Sequence, residues 1–161
     1  MDRVLSVVIP AFNYEACVVS AVESVLAQSR RCEVVVIDDG STDHTAGVVA
    51  DIGDWRISVV RQDNQGPAAA RNAGAQRARG SGLVFLDSDD VLLPGAIDLF
   101  ADAHQMGHQL VRTCATVQRQ GQITEVPAVR SGFPFPRGSP LAGSFSVGRE
   151  LFHSINGFDH A

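Results

Sequence analysis

The stretch Leu83-Val84-Phe85-Leu86-Asp87-Ser88-Asp89-Asp90 constrains this chain more than any other. Four large apolar residues in succession, preceded by Gly82 and followed by acids, are too few for a helix and predict a strand buried on both faces of a sheet. Three carboxylates then crowd into four positions. Two such charges about 4 Å apart repel by roughly 4 kcal/mol at an effective dielectric of about 20, whereas an aspartate capping a helix contributes about 1 kcal/mol. Capping accounts for one of the three. The cluster calls for a positive partner, and since the sequence contains no lysine, that partner is an arginine or a bound cation. An all-oxygen ligand set favours Mg2+ or Mn2+ held jointly with a substrate phosphate. The plain alternative is a solvated acidic turn ahead of a helix beginning near Pro94.

The 161 residues fit one domain, long enough to bury roughly 70% of the surface of the unfolded chain. A net charge of −5 with scattered arginines leaves no basic stripe, which argues against nucleic acid as a partner. Cys17, Cys32 and Cys114 are odd in number, lie in apolar surroundings and form no C-x-x-C, so they read as core filling in a reducing cytosol rather than a disulfide framework. The apolar run ending at Pro10 is too short for a signal sequence, and no run reaches about 18 apolar residues, so no membrane span is expected. A cytoplasmic location follows, at the inner face of a membrane where further parts or partners supply the contact.

Along the chain, Leu5 to Pro10 reads as a central strand and Ala11 to Tyr14 as a turn. Val18, Val19, Val22, Val25 and Leu26 recur at three and four, predicting an amphipathic helix from Glu15 to about Gln28. Glu33 to Ile37 is a second buried strand; Asp38 to Asp43 brings turn chemistry and a helix to about Asp51, completing a right-handed βαβ unit. Ile57 to Val60 is a third strand, Gly66 to Arg79 an alanine-rich helix and Pro94 to His104 a further helix. Beyond His108, Leu110 to Val117 and Gln122 to Val126 predict an antiparallel strand pair, 131 to 140 an irregular loop and Val147 to Ser154 a short helix. In a mainly parallel sheet, ligands sit at the carboxyl ends of the strands, so Asp38-Asp39 and Asp87 to Asp90 are expected to face one crevice. Asp38 reads equally as an Asx turn. His104 and His108 stand at i and i+4, but nothing frames them as a zinc pair, and an exposed helix end is expected.

Together, Leu5 to Asn13 (LSVVIPAFN), Val34 to Thr42 (VVVIDDGST) with Asp43, Asn64-x-Gly66-x-x-x-Ala70-Arg71-Asn72-x-Gly74 and Phe85 to Asp90 (FLDSDD) resemble the successive motifs of family 2 glycosyltransferases of the GT-A fold. Arg149 to Asp159 (RELFHSINGFD) continues the resemblance, with Asn156 where glycine is commoner. It implies an α/β domain over 1–161, with a nucleotide-sugar-binding part over 1–108 and the start of an acceptor-side part over 109–161. It also implies metal-dependent transfer, with inversion, from a UDP-sugar or another nucleotide-sugar to a saccharide, lipid or other acceptor, as in polysaccharide biosynthesis. Carried over residue by residue, Pro10, Ala11, Phe12 and Asp39 are expected at the nucleobase, with Glu15 a weaker candidate. Arg71 is expected at a phosphate or base edge, and Asp87, Ser88 and Asp89, with Asp90, are expected as the DxD site for ribose and metal. Asp89 and Asp90 are the expected ligands of Mn2+ or Mg2+. The catalytic base of inverting members falls in an acidic pair beyond the segment matched by Asn156 to Asp159, so the resemblance places it beyond Ala161 and implies a C-terminally truncated domain.

Other classes fit less well. A receiver domain needs a lysine, a nucleotide-sugar-forming nucleotidyltransferase a glycine-rich basic first loop, and a dehydrogenase G-x-G-x-x-G after the first strand. The competing reading is a non-catalytic nucleotide-sugar-binding module of the same fold.

Overall fold

The computed structural model describes residues 5–28, 32–112, 115–119, 122–126 and 145–159. The β-branched runs form the centre of a sheet: β1 (Leu5–Ala11), β2 (Cys32–Asp38), β3 (Ile57–Arg61) and β4 (Gly82–Phe85). Between them lie α1 (Val18–Leu26), α2 (Thr45–Ala50) and α3 (Pro67–Arg77), followed by α4 (Ala96–Gln105), β5 (Leu110–Arg112), β6 (Ala115–Arg119), β7 (Gln122–Val126), β8 (Phe145–Gly148) and α5 (Arg149–Ser154). The six-stranded sheet has the order β3-β2-β1-β4-β8-β5, and β6 pairs with β7 separately. β1 to β4 pair in parallel, whereas β8 runs antiparallel to both β4 and β5.

Alternation along β1 divides the core. Leu5, Val7, Ile9 and Ala11 pack with α1, α2 and α4 through Val22, Val25, Val49, Ile97 and Phe100. Val8 faces the opposite layer with Ala75, Leu83, Phe85, Phe145 and Phe152. There α3 lies very close to the sheet, since a Cβ at Gly74 would stand 2.3 Å from Val8 Cγ1.

Four expectations are corrected. The single strand expected over Leu110 to Val117 is divided into β5, in the main sheet, and β6, in the hairpin with β7. Val147 and Gly148, expected as helix, belong to β8, whose residues are all buried between β4 and β5. His104 is not at an exposed helix end: it is 2% exposed, its Nδ1–H donates to the His108 carbonyl at 2.7 Å, and Nε2 lies 2.9 Å from Ser146 Oγ. Both ring nitrogens are thereby occupied, which removes the zinc reading. Cys17 is exposed; Cys32 is buried as expected, its thiol pushed up to about 11 by burial, and Cys114 and the 131–140 loop lie outside the described residues.

Candidate functional site

Strand order reverses between β1 and β4, the place where an open α/β sheet leaves a crevice at its carboxyl edge. Pro10 marks where that crevice opens. Pairing of β1 with β4 ends at Val8 opposite Phe85, with one last bond from Leu86 N–H to the Val8 carbonyl at 3.0 Å. Bonding sides alternate along a strand, so an N–H at position 10 would point toward β4, beyond the last rung. A residue without an N–H is therefore tolerated inside a central strand, and the two strands part without orphaning a donor.

The crevice, about 530 Å³, is lined by Pro10, Ala11, Phe12 and Tyr14 after β1, Asp39 after β2, and Asn64, Gly66, Pro67, Ala70 and Arg71 from the β3–α3 connection. Asp87, Ser88 and Asp89 after β4 close it. Asp39 of the first acidic cluster thus shares one opening with Asp87 and Asp89 of the second, as alternation of strands and helices implied, whereas Asp38 and Asp90 lie outside its lining.

Asp38 and Asp39 are both buried but do different work. Asp38 Oδ1 accepts from Ser41 N–H at 2.9 Å, the Asx turn, and Oδ2 is paired with Arg61 Nη1 at 2.9 Å. Asp39 turns into the crevice and anchors the loop opposite. Its Oδ1 accepts from Gln62 Nε2 at 2.7 Å and Gln65 N–H at 3.0 Å, and Oδ2 accepts from Gly66 N–H at 2.8 Å. A carboxylate offers about four acceptor directions, so one direction, on Oδ2, remains for a ligand donor. Gly66 sits at φ 87°, a conformation open to glycine, which lets its N–H reach Asp39 just before Pro67 starts α3.

The turn after β1 is locked to the turn after β2. Asn13 N–H donates to Ser41 Oγ at 2.9 Å and Tyr14 N–H to Thr45 Oγ1 at 2.9 Å, while Asn13 Oδ1 accepts from Thr42 N–H at 2.8 Å. Glu15 belongs to this lock: its Oε2 accepts from His44 N–H at 2.7 Å, and it does not line the crevice. The lock fixes the stem from which Phe12 and Tyr14 project, 43% and 37% exposed. Two exposed rings lining the crevice are suited to stack on a planar ligand. No site role follows for Tyr14 from the sequence, where Asn64 stands only as the first residue of its motif. For Tyr14 the available signal was an aromatic residue in the turn directly after the first strand.

Across the crevice, Arg71 Nη2 meets Asp87 Oδ1 at 2.5 Å, which supplies an arginine partner to one member of the crowded cluster. Among the described residues no arginine pairs with Asp89 or Asp90. Their field is felt nearby: the Tyr14 phenol is raised, first by Asp89 and then by desolvation. The Asp90 carboxyl is raised by desolvation first and then by Asp87 and Asp89. Asp89 lines the crevice, whereas Asp90 lies outside its lining. Among the described residues no three His, Cys, Asp or Glu side chains converge. Asp89, with Asp90 beside it, is the part of this set that could give a hard divalent cation one or two carboxylate oxygens, the rest of its shell coming from substrate phosphates and water. The set does not fit an ion caged by protein alone.

The model of the protein family described as Glycosyl transferase family 2 matches residues 6–154. The succinoglycan biosynthesis protein ExoO of Rhizobium meliloti is 46% identical over 98 residues, 58% of this chain and 28% of that protein. The GalNAc(5)-diNAcBac-PP-undecaprenol beta-1,3-glucosyltransferase of Campylobacter jejuni is 32% identical over 126 residues, 75% of this chain and 41% of that protein. Among solved structures, S. aureus TarS 1-349 superposes with a TM-score of 0.79 at 24% identity, covering 98% of this chain and 50% of that one. The same fragment in complex with UDP-GlcNAc gives 0.76 at 22% identity, covering 95% and 47%. These likenesses show the fold, and the chain spans half or less of the length of each of these relatives.

Proposed function

The chain belongs to glycosyl transferase family 2, and on that premise we propose that its crevice binds the nucleotide of a UDP-sugar, with a divalent metal, for transfer of the sugar to an acceptor hydroxyl. The observation that carries the reading is the convergence of Phe12, Asp39, Arg71, Asp87, Ser88 and Asp89 on one opening at the strand-order reversal. The TarS fragment of the same fold was solved with UDP-GlcNAc, which supports this donor class.

In this reading the uracil ring stacks at Phe12 over Pro10 and Ala11, and its imide N–H takes the one acceptor direction left on Asp39. Ser88 and Asp87 face the ribose. Arg71, always charged, is neutralised in part by Asp87 and offers its remaining donors to the diphosphate. A bound Mg2+ or Mn2+ at Asp89, with Asp90 beside it, would supply Lewis-acid stabilisation of the diphosphate as it leaves. Transfer forms a bond from the acceptor oxygen to the anomeric carbon, breaks the bond from that carbon to the diphosphate, and needs a base for the hydroxyl proton. Asp39 and Asp87 already accept protein donors, so the base is assigned to neither. Inversion follows from a single displacement.

The test is calorimetric titration of UDP with Mn2+ and again with EDTA. Metal-dependent binding is expected; equal affinity in both would remove the metal from the site. A panel of acceptors, with free UDP and glycosylated product followed together, distinguishes transfer from binding alone.

A further inference from the structure

Arg71 faces the crevice, and the next residue on α3 reaches the other way. Asn72 Nδ2 donates to the Phe158 carbonyl at 2.9 Å, and Asn72 Oδ1 accepts from Phe158 N–H at 2.9 Å. One amide side chain thus takes both backbone polar groups of one residue, as a neighbouring strand would. The turn so held is shaped for it: Asn156 and Gly157 have φ of 61° and 71°, and a Cβ at Gly157 would stand 2.4 Å from Asn72 Oδ1. The clasp therefore requires glycine at this position.

What the clasp holds is the Phe158 ring. That ring meets Phe85 edge-on at 5.0 Å between centroids and Phe152 at 5.4 Å. It also lies under the Arg71 guanidinium, 5.7 Å from the ring centroid to Cζ. The guanidinium therefore contacts both the ring and the Asp87 carboxylate, and its Nε is buried with no acceptor. An arginine left to itself has about 2 kcal/mol of rotamer entropy to lose. One already ordered loses less when an anion arrives.

We propose that Asn72 is a positioning residue: by clasping Phe158 it keeps the ring under Arg71 and so holds the guanidinium in place at the crevice before ligand binds. The identity of the anion rests on the nucleotide reading above; the ordering of Arg71 does not.

Two measurements separate them. In the ligand-free protein, the Nε–H of Arg71, assigned by its loss in Arg71→Lys, is expected to exchange slowly and to be displaced by the ring current of Phe158. In Asn72→Ala, and in Phe158→Leu, which keeps apolar burial without a ring, it should exchange as fast as solvent-exposed arginines and lose the displacement. In titrations with Mn2+, Asn72→Ala should weaken UDP about twofold to tenfold, the span of one side chain's ordering cost, and leave uridine unchanged. On an Arg71→Ala background it should weaken UDP no further. An unchanged Nε–H signal in both variants overturns the proposal. So does an equal loss of UDP and uridine, or an undiminished loss on the Arg71→Ala background, either of which makes Asn72 a structural staple. If wild type binds no UDP while the Nε–H signal responds as described, the nucleotide reading falls and the positioning role stands.

Discussion

Replacing Asp39 with asparagine changes one atom and sets two donors against each other. The carboxylate accepts from Gln62 and Gln65 on Oδ1 and from Gly66 on Oδ2. If the amide keeps its oxygen at the Oδ1 position, its NH2 faces Gly66 N–H and one bond is lost; if it flips, Gln62 Nε2 and Gln65 N–H both lose their acceptor, so the first arrangement is favoured. The loss is one hydrogen bond to a charged acceptor, about 1.5–3 kcal/mol, or a fall of about 3–12 °C in melting temperature for a chain of this size. The same NH2 would point a donor at the uracil imide, so uridine should weaken about fivefold to hundredfold, the worth of an unsatisfied polar group at 1–3 kcal/mol. Thermal unfolding by circular dichroism and calorimetry with uridine read the two effects separately. Asp38→Asn is the control: its amide oxygen keeps the Asx turn with Ser41 N–H, but its NH2 replaces the oxygen paired with Arg61 outside the crevice, so it should lower the melting temperature with little loss of uridine. An unchanged melting temperature for Asp39→Asn would refute the anchoring role, and unchanged uridine affinity would refute the base assignment.

Asp89→Ala should abolish the metal dependence of UDP binding in calorimetry while leaving the melting temperature within about 2 °C, since a carboxylate without a basic partner contributes mainly repulsion. The Asp54 carboxyl is held down to about 2, from 3.8, by its hydrogen bonds from Arg56. Because the folded value is depressed, its stabilisation is present above about pH 4 and is lost as pH falls toward about 2. Urea midpoints of wild type and Asp54→Asn should therefore differ at pH 6 and converge near pH 2; a difference independent of pH would reject this. Gly74→Ala should cost about 1–3 kcal/mol in urea unfolding by driving a methyl into Val8, and a neutral result would mean that α3 shifts freely on the sheet.

Much of the layout was readable from residue order because its signals are local. The valine-rich runs of β1 and β2 and the apolar run of β4 each announce a buried strand, and acids follow β2 and β4 directly. Eight proposed nucleotide residues, from Pro10 to Asp89, line the crevice for that reason. What was not readable depends on distant partners. Phe145-Ser146-Val147-Gly148 has no alternation to mark it, and it is a strand because β4 and β5 offer edges on both sides. His104 sits at helical spacing from His108 and looks exposed until Ser146 arrives opposite its ring. Glu15 is an acid just past the first turn, as a ligand contact would be, yet the His44 N–H takes it. Asn72 is one more polar residue on a helix until Phe158 comes to meet it.

The pairing of β8 with β4 also governs the order in which the sheet can be assembled. Phe85 pairs with Phe145, sixty residues further along the chain. During synthesis at about 5–20 residues per second, β4 therefore waits about 3–12 s for its second neighbour. Throughout that interval its Leu83-Val84-Phe85 edge, destined for complete burial, is an unpaired template of the kind that recruits strands from other chains. β5 is made sooner but cannot seal that edge, because in the finished sheet it pairs with β8. How long that edge stays open is a kinetic quantity, to which the equilibrium stability of the finished sheet is no guide.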